Sequence, residues 1–158
     1  MMGAPLVGEE TVTRRRELGY VILTIAIVGL AVGIAYTRTS DVTFSRRVFT
    51  GLANGSRLAQ PHIAWEDLRA MGVDAGGTYR ALPNDWERSQ YRQAFIQYFS
   101  SAFKQQGATP RSFTRWRVDS KAAGQVVVAA DYPAMGKTLL ITSSRARPKR
   151  VQTIVWKE

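Results

Sequence analysis

The sequence predicts an α+β domain carried behind a single transmembrane helix. Three observations predict it: an uncharged run near the N-terminus, a helical period that dominates as far as Gly107, and a strand period from Phe113 onward. Helices first and strands afterwards argue for segregated α+β packing, because a Rossmann-type sheet would alternate the two.

The uncharged run is LGYVILTIAIVGLAVGIAY, residues 18–36, lying between Glu17 and Arg38. As a helix its 19 positions span roughly 28 Å at 1.5 Å per residue, close to the ~30 Å hydrocarbon core of a bilayer. The run exceeds the h-region of about 7–15 residues in a cleaved signal peptide, so an uncleaved anchor is expected over cleavage near Gly33-x-Ala35. A buried core helix is the other alternative, but an all-round apolar surface would need a much larger protein to surround it. Arg14, Arg15 and Arg16 precede the run. They predict a cytoplasmic arm over 1–17 and an exported, periplasmic domain over 37–158, anchored in the inner membrane, although Arg38, Arg46 and Arg47 nearly balance the flanking count. Within the helix, Gly29 with Gly33 and Ala31 with Ala35 form small-xxx-small pairs. They are the candidate packing face for a partner helix.

The extramembrane part begins with a first helix that Ser40 or Asp41 can cap, with Phe44, Val48, Phe49 and Leu52 on one side and a stop near Asn54-Gly55. Pro61 opens a short second stretch, HIAWEDLRAMG, in which Ile63, Trp65 and Leu68 are apolar and Gly72 is the helix stop. VDAGGTYRALP, residues 73–83, reads as a loop. Asn84 and Glu87 have capping-box spacing and start the strongest helix, whose apolar stripe is Tyr91, Ala94, Phe95, Tyr98, Phe99, Ala102 and Phe103. Gly107 and Pro110 end it.

Four strands follow, at 113–120, 125–133, 137–145 and 150–158, rich in β-branched and aromatic residues and joined by KAAG, PAMG and ARPK. An antiparallel meander is the economical topology, curved over the helices. Strict alternation puts Trp116 and Val118 on one face of the first strand and Phe113, Arg115 and Arg117 on the other.

This element order, with the aromatic helix WERSQYRQAFIQYFSSAF and the terminal TIVWKE, resembles the nuclear transport factor 2-like cone fold over about residues 42–158. Membrane-anchored domains of this kind resemble the bitopic assembly subunits of bacterial secretion and transport machines. A second resemblance is to periplasmic phospholipid carriers of ABC-type lipid transport systems. Nothing in the sequence after the meander supplies the extra helices that often close a lipid cavity, which weighs against the carrier.

Chemistry is sparse. The chain has 158 residues, no Cys and one His, so thiolate sites, disulfides and multi-histidine metal sites are excluded. The enzymes of the cone-fold family imply Asp, Tyr or His inside the cone, and His62, Tyr79, Asp85, Tyr91 and Asp131 are the residues of those types. Each has a simpler structural reading: stripe tyrosines belong to a core, and Asp85 suits the first-turn helix dipole. No nucleophile elbow or phosphate loop is present, since Gly76-Gly77 lacks a following Gly-Lys-Ser/Thr.

The formal net charge is +10, and residues 1–37 hold equal numbers of basic and acidic side chains. The excess therefore lies beyond them, where 19 basic residues face 9 acidic ones. Arg111, Arg115 and Arg117 on the first strand and Arg145, Arg147, Lys149 and Arg150 on the last hairpin form the candidate basic surface. Anionic lipid headgroups or an acidic partner subunit suit an exported domain better than nucleic acid does. The sequence thus predicts a non-enzymatic, single-pass accessory or scaffold subunit of a larger membrane complex, with no cofactor. The alternative is a membrane-tethered periplasmic carrier of lipid or a small apolar ligand, held between the aromatic helix and the sheet.

Overall fold

Helix α1 occupies residues 40–53 and buries Val48, Phe49, Leu52 and Ala53 along the expected face. Neither Ser40 nor Asp41 caps it, because both positions are already helical. The carboxylate of Asp41 is used elsewhere, by Lys121 at 2.9 Å and by Lys149. A computed structural model describes residues 26–27 and 40–157. The predicted arm 1–17, the membrane segment 18–36 and its Gly29, Ala31, Gly33 and Ala35 lie outside them, apart from helical positions 26 and 27. Among the described residues no helix is long and apolar enough to cross a membrane.

The segment after α1 departs most from expectation. Pro61 does not open a helix but sits inside a 3-10 helix, Arg57–His62. The chain then extends, so Ile63 bridges Val151 in parallel and Arg69–Ala70 forms strand β1, paired in parallel with the last strand. Ile63, Trp65 and Leu68 are buried as their apolarity requires, but from a strand bridge and a turn, closed by the Asp67 N–H donating to the Ala64 carbonyl at 2.9 Å, and not from a helix. Val73–Asp74 forms β2, antiparallel to β1. The turn between them places Met71 at φ 50 and Gly72 at φ 84, the paired left-handed signature of a type I′ hairpin.

The expected loop 73–83 is instead β2 followed by a short helix, α2, Ala75–Ala81. Its N-cap is Asp74, whose side chain accepts from the Gly77 N–H at 3.0 Å. The backbone of Glu66–Leu68 explains Gly76. A Cβ there would lie 2.4 Å from the Glu66 carbonyl oxygen and 2.9 Å from the Leu68 nitrogen, so only glycine lets α2 approach this closely.

Helix α3, Asp85–Gln105, starts at Asn84 as predicted. Asn84 Oδ1 accepts from the Glu87 N–H at 2.9 Å, and Asn84 Nδ2 donates to Glu87 Oε1 at 3.0 Å. The buried residues are Phe95, Ile96, Phe99, Ser100 and Phe103, while Ala94 and Tyr98 remain exposed. The stripe is therefore rotated relative to the predicted one. Ser100 belongs to it because its hydroxyl donates to the Ala53 carbonyl at 2.9 Å, meeting a C-terminal backbone acceptor of α1.

The meander is β3 Thr114–Ala122, β4 Gln125–Tyr132, β5 Lys137–Ser144 and β6 Val151–Trp156, close to the expected spans. The sheet has six strands, not four, in the order β2-β1-β6-β5-β4-β3, and all pairs except β1 with β6 are antiparallel. Register shifts interrupt β3 between Thr114 and Arg117 and again between Val118 and Ser120. Such bulges bend a strand and break its alternation. The first one, with Arg115 at φ 48, overturns the predicted faces: Phe113 is buried and Trp116 packs against the same core, while Arg115 and Arg117 reach water.

Candidate functional site

The interior between α3 and the sheet is filled by aromatic rings. Phe99 stacks on Phe103 at 6.2 Å between centroids, Phe103 on Phe113 at 5.6 Å, Phe113 on Tyr132 at 4.9 Å and Tyr132 on Trp156 at 6.1 Å. Phe49 of α1 meets Phe103 and Phe113 edge-on at 5.4 and 4.9 Å. These offset and T-shaped geometries suit ring quadrupoles and add to the burial term.

Where the stack ends, a groove of about 260 Å³ remains between the second half of α3 and the β1–β2 turn. Phe95, Phe99 and Phe103 form its floor with Trp156, and Met71, Val73 and Tyr98 form its rim. Tyr98 is 68 % exposed and Val73 47 % exposed, so the rim presents apolar surface to water. Met71 holds a left-handed backbone conformation that a side chain with Cβ resists, and it lines this groove. Sequence reasoning assigned Tyr98 to the core and did not single out Met71 or Val73. One signal was available. A stripe of seven apolar residues is wider than one face of α3 can bury, so one edge had to emerge.

The predicted basic residues divide between ion-paired and exposed positions. Arg115 and Arg117 bind one carboxylate, Asp131, at 2.8 and 3.1 Å, and Thr138 donates to it at 3.0 Å. Burial pushes the Asp131 carboxyl up, but the Thr138 hydroxyl and the two guanidiniums outweigh it and hold its pKa below the ordinary 3.8. Lys149 is spent on Asp41, with Lys121 as the second cation. Burial again pushes that carboxyl up, and the two ammonium groups again bring it below the ordinary value. These two clamps sit at opposite ends of β4, whose eight residues span roughly 26 Å at ~3.3 Å per residue. Arg111, Arg145 and Arg147 are exposed, and Arg150 borders a separate polar cleft.

Of the residues weighed for catalysis, the two tyrosines are hydrogen-bonded within the domain. Tyr91 Oη donates to the Ala75 carbonyl at 3.2 Å, Tyr79 Oη accepts from Arg92 at 3.1 Å, and Asp85 is a solvated first-turn residue of α3. His62 meets the Phe44 ring edge-on at 5.7 Å. Among the described residues no three of His, Asp and Glu gather to hold a metal ion. No protein-family model, curated protein or solved structure matches the chain.

Proposed function

We propose that the chain is a non-enzymatic, single-pass subunit of a larger membrane complex, whose α+β domain, of the nuclear transport factor 2-like kind, docks an apolar segment of another subunit in the groove beside α3. The observation that carries this reading is the groove: its floor is closed by stacked rings, and its rim leaves Tyr98 and Val73 in water. An exposed apolar rim around a shallow floor suits a protein knob. The uncharged run at 18–36 supplies the anchor, with the N-terminus in the cytoplasm and the domain in the periplasm. The commitment of Tyr79, Tyr91 and Asp131 to internal bonds supports a structural role over a catalytic one.

The lipid-carrier alternative asks for more room. Small-molecule sites enclose about 300–1,000 Å³, and the groove holds about 260 Å³. A photo-crosslinking side chain in place of Tyr98 is expected to join the chain to one partner of defined mass in native membranes. Tyr98→Asp is expected to release that partner with an unchanged far-UV circular dichroism spectrum. Recovery of the chain alone and monomeric in mild detergent overturns the proposal, and a co-purifying lipid seen by native mass spectrometry favours the carrier.

A further inference from the structure

A second concavity lies beside the first half of α3. This cleft, of about 440 Å³, is bordered by Trp65, Glu66, Asp67, Tyr79, Arg92 and Arg150. Its two arginines come from distant parts of the chain, Arg92 from α3 and Arg150 from the residue just before β6. Arg92 is held in place: one terminal nitrogen donates to Tyr79 Oη at 3.1 Å, and its Nε is sealed from water with no partner. Arg88, one turn earlier, lies 5.7 Å over the Tyr79 ring, and its charge is answered by Asp85 at 3.8 Å. Trp65 is 8 % exposed, and its indole N–H is spent on the Gln60 carbonyl at 3.1 Å. It therefore offers the cleft an apolar surface and no donor.

Among the described residues, neither Arg92 nor Arg150 forms an ion pair with a carboxylate. This separates them from Arg115, Arg117 and Lys149, whose charges are answered inside the domain. Two arginines lining one cleft suit a carboxylate, whose planar geometry a guanidinium matches. Glu66 and Asp67 are exposed at the rim and likewise make no ion pair among the described residues. They repel a phosphate dianion or an anionic bilayer surface and attract a cation on the same ligand. We infer that this cleft binds a carboxylate side chain of a partner protein that carries a neighbouring basic residue. The inference rests on the reading of the domain as a docking module, and it names a second contact that does not involve the groove.

The test uses the full chain in neutral-lipid nanodiscs and the blocked peptide acetyl-Ala-Glu-Lys-Ala-amide, followed by the Trp65 indole N–H resonance, which Trp65→Phe assigns. A saturable shift is expected, with affinity reduced about tenfold in Arg92→Gln and in Arg150→Gln, as the loss of a charged hydrogen bond implies. Arg150 is exposed, so its variant keeps the test valid if Arg92→Gln fails to fold. Glu66→Gln combined with Asp67→Asn is expected to weaken the peptide and strengthen inorganic phosphate. The inference is overturned if the Gln-containing peptide or inorganic phosphate binds equally well, if the shift survives both arginine substitutions, or if only phosphatidylglycerol in the nanodisc moves the resonance. Tyr98→Asp leaves peptide binding intact, so failure of the groove and failure of the cleft are separately visible.

Discussion

The meander and the segment from Arg57 to Leu82 belong to one sheet but are held in different ways. All eight residues of β4 have partners in β5, so each cross-strand contact is one of a series. The earlier segment has two strands of two residues and relies on single bonds: Gly76 N–H to the Leu68 carbonyl, Met71 N–H to the Ile154 carbonyl and Ala64 N–H to the Val151 carbonyl, each at 2.8 Å. Arg80 adds a side-chain bond to the Glu66 carbonyl. A ladder spreads a loss over its neighbours, whereas a contact made once has no substitute. This segment also builds one side of both the groove and the cleft, so its single contacts set the shape of both candidate sites.

The largest expected effect follows from that contrast. Gly76→Ala places a methyl group 2.4 Å from the Glu66 carbonyl oxygen, which is backbone and cannot swing away. A loss of about 3 kcal/mol is expected in urea denaturation, the upper range for an overpacked site. Next comes Asp41, the single carboxylate joining α1 to Lys121 and Lys149 at one end of the meander, with its side chain 15 % exposed. Asp41→Asn leaves two half-buried ammonium groups without a counter-charge, and about 2 kcal/mol is expected, the usual scale for hydrogen bonds to charged groups.

Inside the ladder the expected effect is smaller. Ile141 is fully buried on β5, and Ile141→Val should remove about 1 kcal/mol, the ordinary loss for one methylene. If it destabilised the chain as much as Gly76→Ala does, the contrast between series and single contacts would fail. The smallest effect is acid-dependent. Asp131 and Asp41 both have pKa values below the ordinary 3.8, so the unfolded chain takes up protons first as pH falls. Their contribution is complete above about pH 4 and declines as pH drops through the lowered folded values. Asp131→Asn should flatten that acid limb slightly in pH-dependent thermal melts, and an unchanged limb would mean the Arg115–Asp131–Arg117 cluster adds nothing to folding.

Legibility followed the number of residues that share a signal. The four meander strands and α3 were readable because period, composition and punctuation agreed over six or more positions, and the Asn84–Glu87 start lies at its predicted place. The β1–β2 hairpin was not readable, since Met71-Gly72 lacks the usual Asn-Gly signal. Helix α2 was masked by Gly76 and Gly77, which look like loop residues until the Glu66 backbone is seen against the first and the Asp74 cap against the second. Which of the predicted basic residues are ion-paired was not legible. Asp131 and Asp41 could not be matched to their cations, because Asp41 and Lys149 lie 108 positions apart in the chain.

By itself the sequence determined the α+β class, the order of helices and meander, the aromatic core and the uncharged run at 18–36, all of which depend on local period and composition. Tertiary structure alone decided which charges remain available, which edge of the aromatic helix meets water and which loops border a cleft. The physical reason is that a periodic pattern records which face of an element is apolar. The partner of a single carboxylate, guanidinium or glycine is set by distances across the fold, which no local pattern records.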